Sequence, residues 1–61
     1  MVKIEAMNNN GNWIQLHVVQ NVPAYIRQKL VEAAKSGIAA KTKKSRAVDM
    51  ETGNLIDIYQ G

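Results

Sequence analysis

The strongest constraint on this chain is the spacing of its apolar residues, which changes from every second residue to every third or fourth and back. Residues 2–7, VKIEAM, place Val2, Ile4 and Ala6 on one side, and residues 13–19, WIQLHVV, alternate in the same way. Alternation with period two is typical of β-strands that have one buried face. Because the intervening NNNGN consists of turn-forming residues, the first third of the chain predicts a β-hairpin.

One register of this hairpin separates an aliphatic face from a mixed face, as antiparallel pairing requires. In that register, the expected pairs are Met7–Trp13, Ala6–Ile14, Glu5–Gln15, Ile4–Leu16, Lys3–His17 and Val2–Val18. A shift by one residue would move every side chain of a strand to the other face, so we expect this register to extend along both strands.

A helical period follows the first hairpin. Pro23 suits a first turn, Gly37 suits a left-handed cap, and the helix is expected from about Pro23 to Ser36. Arg27 projects within the apolar stripe, where its stem is expected to cover the core edge, and Tyr25 projects on the polar side. The stripe itself predicts the face that packs on the sheet. It consists of Ala24, Ile26, Leu30, Val31, Ala33 and Ala34.

A second hairpin is predicted around the turn METG. Gly53 can take the left-handed conformation, and Asp49 can accept hydrogen bonds from backbone amides of the turn. The expected register buries Ile56 and Ile58 and joins Arg46 to Asp57 as an ion pair. Its pairs are Asp49–Asn54, Val48–Leu55, Ala47–Ile56, Arg46–Asp57, Ser45–Ile58 and Lys44–Tyr59.

Together these segments predict one α+β domain over residues 1–61, with the order β-β-α-β-β. Two antiparallel hairpins are joined through a helix that packs on one sheet face. The sequence leaves the strand order open, and with it the choice between one four-stranded sheet and hairpins that pair between two subunits.

The core of such a domain is small. The chain has 61 residues, no Phe and no Cys, so Val, Ile, Leu and Ala must form the core without disulfides. Small cores and exposed edge strands both favour a second subunit, and we expect a homodimer. The expected dimer interface consists of Met7, Trp13, Val19, Val48 and Leu55.

Residues for catalysis are scarce in the sequence. His17 is the only histidine, the carboxylates form no motif, and NNNGN lacks the glycine-rich loop that cradles phosphate. We therefore expect no enzyme activity, metal, cofactor or small-molecule substrate. No stretch approaches the ~20 apolar residues of a membrane span, which predicts no membrane partner and a cytoplasmic location.

Binding is the function that the composition favours. The sheet face turned away from the helix is expected to collect basic and aromatic side chains, a combination used by proteins that bind single-stranded nucleic acid. The net charge of +3 is compatible with that partner. The residues expected to contact nucleic acid or another partner are Lys3, Trp13, His17, Lys41, Lys43, Lys44, Arg46 and Tyr59.

Two alternatives stay open. The same face is also typical of a protein interface, so the chain could be a homodimeric interaction module or a small inhibitor of a larger protein, without any nucleic-acid role. In the other alternative, Lys41, Lys43 and Lys44 only keep an edge strand from pairing with other chains.

Overall fold

The computed structural model describes all 61 residues and has the α+β class that the sequence predicts. Four antiparallel strands form one sheet, and a single α-helix packs on one of its faces. We find no helix with the length and apolar character needed to cross a lipid bilayer. The elements are β1 (Val2–Met7), β2 (Trp13–Val19), α1 (Pro23–Ala34), a 3-10 helix (Gly37–Ala39), β3 (Lys44–Asp49) and β4 (Leu55–Gln60).

The strand order is β2-β1-β3-β4, so both hairpins of one chain share one sheet. Their first strands, β1 and β3, pair in the centre, where Ile4 lies opposite Ala47 and Glu5 lies opposite Arg46. The second strands, β2 and β4, form the two edges. Because β3 is a central strand, the interpretation of Lys41, Lys43 and Lys44 as protection of an edge strand is wrong.

Helix α1 covers the two central strands. Ile26, Leu30, Ala33 and Ala34 of the predicted stripe are buried, whereas Val31 is half-buried and Ala24 is exposed. The Ser45 hydroxyl of β3 donates a hydrogen bond to the Leu30 carbonyl at 2.6 Å, which fixes the helix to the sheet. Only 12 of 61 residues are buried, so few contacts hold the fold. The core cluster consists of Val2, Ile4, Ala6, Ile26, Leu30, Ala33, Ala39 and Ala47.

The first hairpin contains a β-bulge on its edge strand. Beside the loop, the predicted pairs Met7–Trp13, Ala6–Ile14 and Glu5–Gln15 are confirmed. Leu16 then has no partner, and every later residue of β2 is shifted by one. The predicted partners of Ile4, Lys3 and Val2 are therefore wrong. The observed pairs are Ile4–His17, Lys3–Val18 and Val2–Val19.

The second hairpin contains an equivalent bulge. The predicted pair Val48–Leu55 is confirmed, and Ile56 then lies unpaired beside it. The bulge turns Tyr59 toward the helix, where it packs against the core, and leaves Ile58 about half exposed. The four predicted pairs beyond Val48 are wrong. The observed pairs are Ala47–Asp57, Arg46–Ile58, Ser45–Tyr59 and Lys44–Gln60.

The turn residues of the second hairpin act as predicted. Asp49 Oδ1 accepts hydrogen bonds from the backbone N–H groups of Glu51 at 2.8 Å and Thr52 at 3.4 Å, and Gly53 has a φ of 78°. Asn8 has the same role in the first loop, where its Oδ1 accepts from the N–H groups of Asn10 and Asn12. Short polar side chains thus close both loops.

The end of α1 differs from the prediction. The helix stops at Ala34 instead of Ser36, and the predicted left-handed cap at Gly37 is wrong. Gly37 instead begins the 3-10 helix, whose residues keep negative φ, so no left-handed residue is needed there. The chain reverses later, at Lys43, which has a φ of 51°.

A matched pair of alanine substitutions tests this assignment. An added Cβ meets no atom within 4 Å at either Gly53 or Gly37, so the two sites differ mainly in backbone conformation. Gly53→Ala should lower the free energy of unfolding by about 1 kcal/mol, because an alanine is strained at positive φ. Gly37→Ala should raise the free energy of unfolding by up to ~1 kcal/mol, because an alanine reduces the conformational entropy of the unfolded chain. Thermal unfolding followed by circular dichroism measures both, and equal losses would contradict the assignment.

Candidate functional site

The outer face of the sheet, turned away from α1, keeps seven of the ten residues that the sequence places there. The ten predicted residues are Lys3, Met7, Trp13, His17, Val19, Lys44, Arg46, Val48, Leu55 and Tyr59. Paired residues share a face, so the face follows from the register. The outer face carries both charged and apolar side chains. Its members are Lys3, Glu5, Met7, Trp13, Gln15, Val18, Lys44, Arg46, Val48, Leu55, Ile58 and Gln60.

The predicted outer positions of His17, Val19 and Tyr59 are wrong, and the bulges are the reason. Beyond the first bulge, His17 lies opposite the core residue Ile4, and Val19 packs against the core. Beyond the second, Tyr59 lies opposite Ser45 on the helix side. These three side chains therefore do not share a surface with Trp13.

An ion-paired cluster occupies the centre of the outer face. Arg46 Nε donates to Glu5 Oε1 at 2.8 Å, and Lys3 Nζ lies 3.9 Å from Glu5 Oε2. The Arg46 guanidinium also lies over the Trp13 ring, 4.3 Å from its centroid. Only 7% of Glu5 is exposed, so removal of both cations would leave its carboxylate without a partner and with little access to water. We call Lys3, Glu5, Trp13 and Arg46 the Glu5 cluster.

The Glu5 cluster changes the role expected of its residues. The predicted ion pair of Arg46 with Asp57 is wrong, because the bulge places Ile58 opposite Arg46 and leaves Glu5 as its other cross-strand neighbour. Arg46 and Trp13 contact each other, so a base could stack on that side of Trp13 only by displacing the guanidinium. The charged groups and the Trp13 ring at the centre of the outer face therefore already contact one another.

The five residues of the expected dimer interface differ in exposure and do not all lie on the same face of the sheet. Of its five residues, Val48 is buried within the chain and Val19 packs on the helix side. Met7 and Trp13 are half-buried, and Leu55 alone is exposed. The five residues therefore do not form one exposed patch.

Four lysines gather at one end of the molecule, where α1 ends and β3 begins. Lys35 caps the helix, and Lys44 is the first residue of β3. None of the four takes part in an ion pair. We call Lys35, Lys41, Lys43 and Lys44 the basic end. Sequence reasoning missed Lys35, because the adjacency of the helix end to the start of β3 is a tertiary feature.

The basic end is held by hydrogen bonds and is not a free tail. The Thr42 hydroxyl donates to the Met7 carbonyl at 2.7 Å, and the Gln60 side-chain amide donates to the Thr42 carbonyl at 2.8 Å. The Lys43 N–H donates to the Ala39 carbonyl, also at 2.8 Å. These bonds join the segment to β1, β4 and the 3-10 helix, so its backbone has a fixed position relative to the sheet.

A cavity of about 410 Å³ opens beside the basic end. Lys35 and Lys43 line it, and no acidic residue does. Tyr59 forms another part of the lining, and the Arg27 guanidinium lies 5.6 Å from the centroid of that ring. The other lining residues are small: Ala34, Ala39, Ala40 and Gly61. The cavity thus combines an aromatic ring and apolar walls with two ammonium groups.

Two acidic side chains lie far from the basic end, and a third is paired with a lysine outside it. Asp49 and Glu51 lie at the opposite end of β3, where the turn to β4 begins. Glu32 is paired with Lys29 at 3.4 Å on the exposed side of the helix. The basic end therefore has four cations and no acidic side chain paired with any of them.

The edge strand β4 exposes aliphatic side chains. Leu55, Ile56 and Ile58 are 57%, 39% and 48% exposed. The Gly61 N–H donates a hydrogen bond to the Lys43 carbonyl and therefore points toward β3. Successive N–H groups of a strand point to opposite sides, so the Ile58 N–H points away from β3, to the free edge of the sheet. Asp57 Oδ1 accepts from that N–H at 2.8 Å. One edge donor is therefore satisfied within the chain, and the apolar side chains remain uncovered.

Comparison of the chain with protein-family models, curated proteins and solved structures finds no match. No group of three or more His, Cys, Asp and Glu side chains is placed to hold a metal ion. Function must therefore be inferred from the surfaces themselves, chiefly the basic end and the β4 edge.

A double-mutant cycle tests the Glu5 cluster. Glu5→Gln and Arg46→Gln should each destabilise the fold, with a coupling free energy of about 1–3 kcal/mol, because the carboxylate is nearly buried. Urea unfolding followed by Trp13 fluorescence measures each variant. The matched control is the exposed pair, Lys29→Gln with Glu32→Gln, for which coupling of about 0.5 kcal/mol or less is expected. Additive effects at Glu5 and Arg46 would contradict the role of the cluster.

Proposed function

We propose that the protein is a non-enzymatic nucleic-acid-binding module that contacts phosphate groups through the basic end. The observation that supports this is that four of its eight Lys and Arg side chains have an anionic or aromatic partner, whereas the other four have none. Lys3 and Arg46 are engaged by Glu5, and Lys29 is engaged by Glu32. Arg27 lies over Tyr59. The four remaining cations are all at the basic end, where none has an anionic partner.

Unpaired lysines grouped in this way favour a polyanion as the partner. Each phosphate that a lysine neutralises releases condensed counterions, and this release becomes less favourable as the salt concentration rises. On duplex DNA, the logarithm of the binding constant falls by about 0.9 per neutralised phosphate for each tenfold rise in salt. Four such contacts give a slope of about −3 to −4. A surface held by hydrogen bonds also loses less conformational freedom on binding than a flexible tail would.

Paired charge substitutions test the proposal. Lys41→Gln/Lys44→Gln should weaken binding to a labelled 20-mer oligonucleotide about tenfold or more and reduce the salt slope by about two. The control Lys3→Gln/Lys29→Gln removes the same charge from residues that are already ion-paired, and it should have a much smaller effect. Fluorescence anisotropy at two salt concentrations measures both variants, with circular dichroism to verify folding.

Two outcomes would reject this proposal. The first is the absence of binding by the unmodified protein at low salt to single-stranded and double-stranded DNA and RNA. The second is equal weakening by the two paired variants, which would attribute the effect to net charge and not to the basic end.

The exposed aliphatic side chains of β4 favour a second function, self-association into a homodimer. Edge strands of small domains are commonly covered, and three large exposed aliphatic residues on one edge strand are a feature of interaction surfaces. A second copy packed on Leu55, Ile56 and Ile58 would add apolar burial that the small core lacks. None of the four lysines lies on β4, so dimerisation through β4 and nucleic-acid binding through the basic end are compatible.

Sedimentation tests the dimer. At high micromolar concentration the unmodified chain should sediment with twice its mass of 6.8 kDa. Ile58→Lys should yield the monomer, because a charge would be buried in the interface. Val18→Lys is the matched control, since Val18 is 42% exposed on the outer face of the other edge strand. A monomer without any substitution, or equal dissociation by both variants, would exclude this interface.

A further inference from the structure

The geometry beside the basic end points to single-stranded nucleic acid as the ligand, and we infer that the cavity accepts one unstacked base. This inference rests on the proposed function and adds the ligand class to it. Tyr59 would contact the base, while Lys35 and Lys43 would contact the phosphates on either side of it. The cavity volume of about 410 Å³ is of the order needed for one nucleotide and lies within the usual range of ligand pockets, roughly 300–1,000 Å³.

The lining of the cavity favours a base over a small inorganic anion. Ala40 supplies exposed apolar surface and Tyr59 supplies a half-buried aromatic ring, while Ala34 and Ala39 form the buried floor beneath them. A free phosphate ion would make no favourable contact with these groups, whereas a base can contact an aromatic ring whatever its sequence. The lysines supply positive charge for the phosphates on either side, so both parts of a nucleotide have a matching group.

The position of Tyr59 follows from the bulge at Ile56. Without the extra residue, Tyr59 would lie opposite Lys44 on the outer face. The bulge turns it to the helix side, where it lines the same cavity as two unpaired lysines. Bulges often redirect a side chain at a functional site. Arg27 lies over the Tyr59 ring, 5.6 Å from its centroid, and does not line the cavity, so a base would contact the part of the ring that the cavity exposes.

The cavity predicts discrimination between strands. In a duplex the bases are stacked and paired, and moving one out of the stack costs free energy. A single strand has little of that cost, so its bases can enter the cavity. Duplex DNA would instead contact the lysines alone.

Substitutions at Tyr59 test this inference. The probes are a labelled ten-nucleotide single strand of mixed sequence and its duplex, studied by fluorescence anisotropy at low salt. The unmodified protein should bind the single strand at least about fivefold more tightly than the duplex, given the usual contribution of one stacked base. Tyr59→Leu should weaken single-strand binding about five- to 100-fold and leave duplex binding unchanged. Tyr59→Phe, which keeps the ring, should stay within about twofold of the original protein.

A second measurement keeps the inference testable if Tyr59→Leu fails to fold. In amide NMR spectra of the unmodified protein, the single strand should shift the signals of Tyr59, Ala40 and Gly61, and the duplex should shift mainly those of the basic end. Equal binding of both probes, with no effect on Tyr59 or its neighbours, would overturn the inference but leave the proposed function intact. Absence of binding to either probe would overturn both.

Discussion

The pairing of β1 with β3 is the contact on which the rest of the structure depends. An isolated two-stranded hairpin is marginally stable in water, and this pairing joins two hairpins into a four-stranded sheet. The same two strands support α1, whose residue Leu30 packs in the core and accepts the hydroxyl bond from Ser45. With 12 buried residues, the domain has little other apolar burial. The positions of the helix, of both hairpins and of the basic end therefore all depend on this pairing.

The two bulges determine which residues each surface presents. Each inserts one residue into an edge strand, and beyond that point the faces of the strand are exchanged. Trp13 lies before the first bulge and stays on the outer face, where Arg46 covers it. Tyr59 lies beyond the second and turns to the helix side, beside Lys35 and Lys43. The two aromatic residues that the sequence assigned to one binding face are thus on opposite faces of the sheet.

Glu5 determines which positive side chains of the sheet have an anionic partner. It engages Arg46 and Lys3 at the centre of the outer face, so these cations are not free to bind a distant anion. The unpaired positive charge is consequently at the basic end, on residues fixed by the Thr42 hydrogen bonds. The proposed binding surface lies at one end of the sheet, whereas composition alone favoured its outer face.

The sequence by itself determined the element order, the helix stripe, both turns and the pairs next to each loop. These depend on local period and on residues such as Asp49 and Gly53, whose effects act within a few positions. Only the tertiary structure decided the strand order, the bulges and the grouping of Lys35 with the lysines before β3. The inserted residues, Leu16 and Ile56, both occupy positions that the alternation assigns to the buried face, so the pattern gives no sign of a bulge at either. The strand order, the bulges and the grouping of the lysines depend on packing between segments that are distant in the chain. The periodicity of the sequence carries no information about such packing.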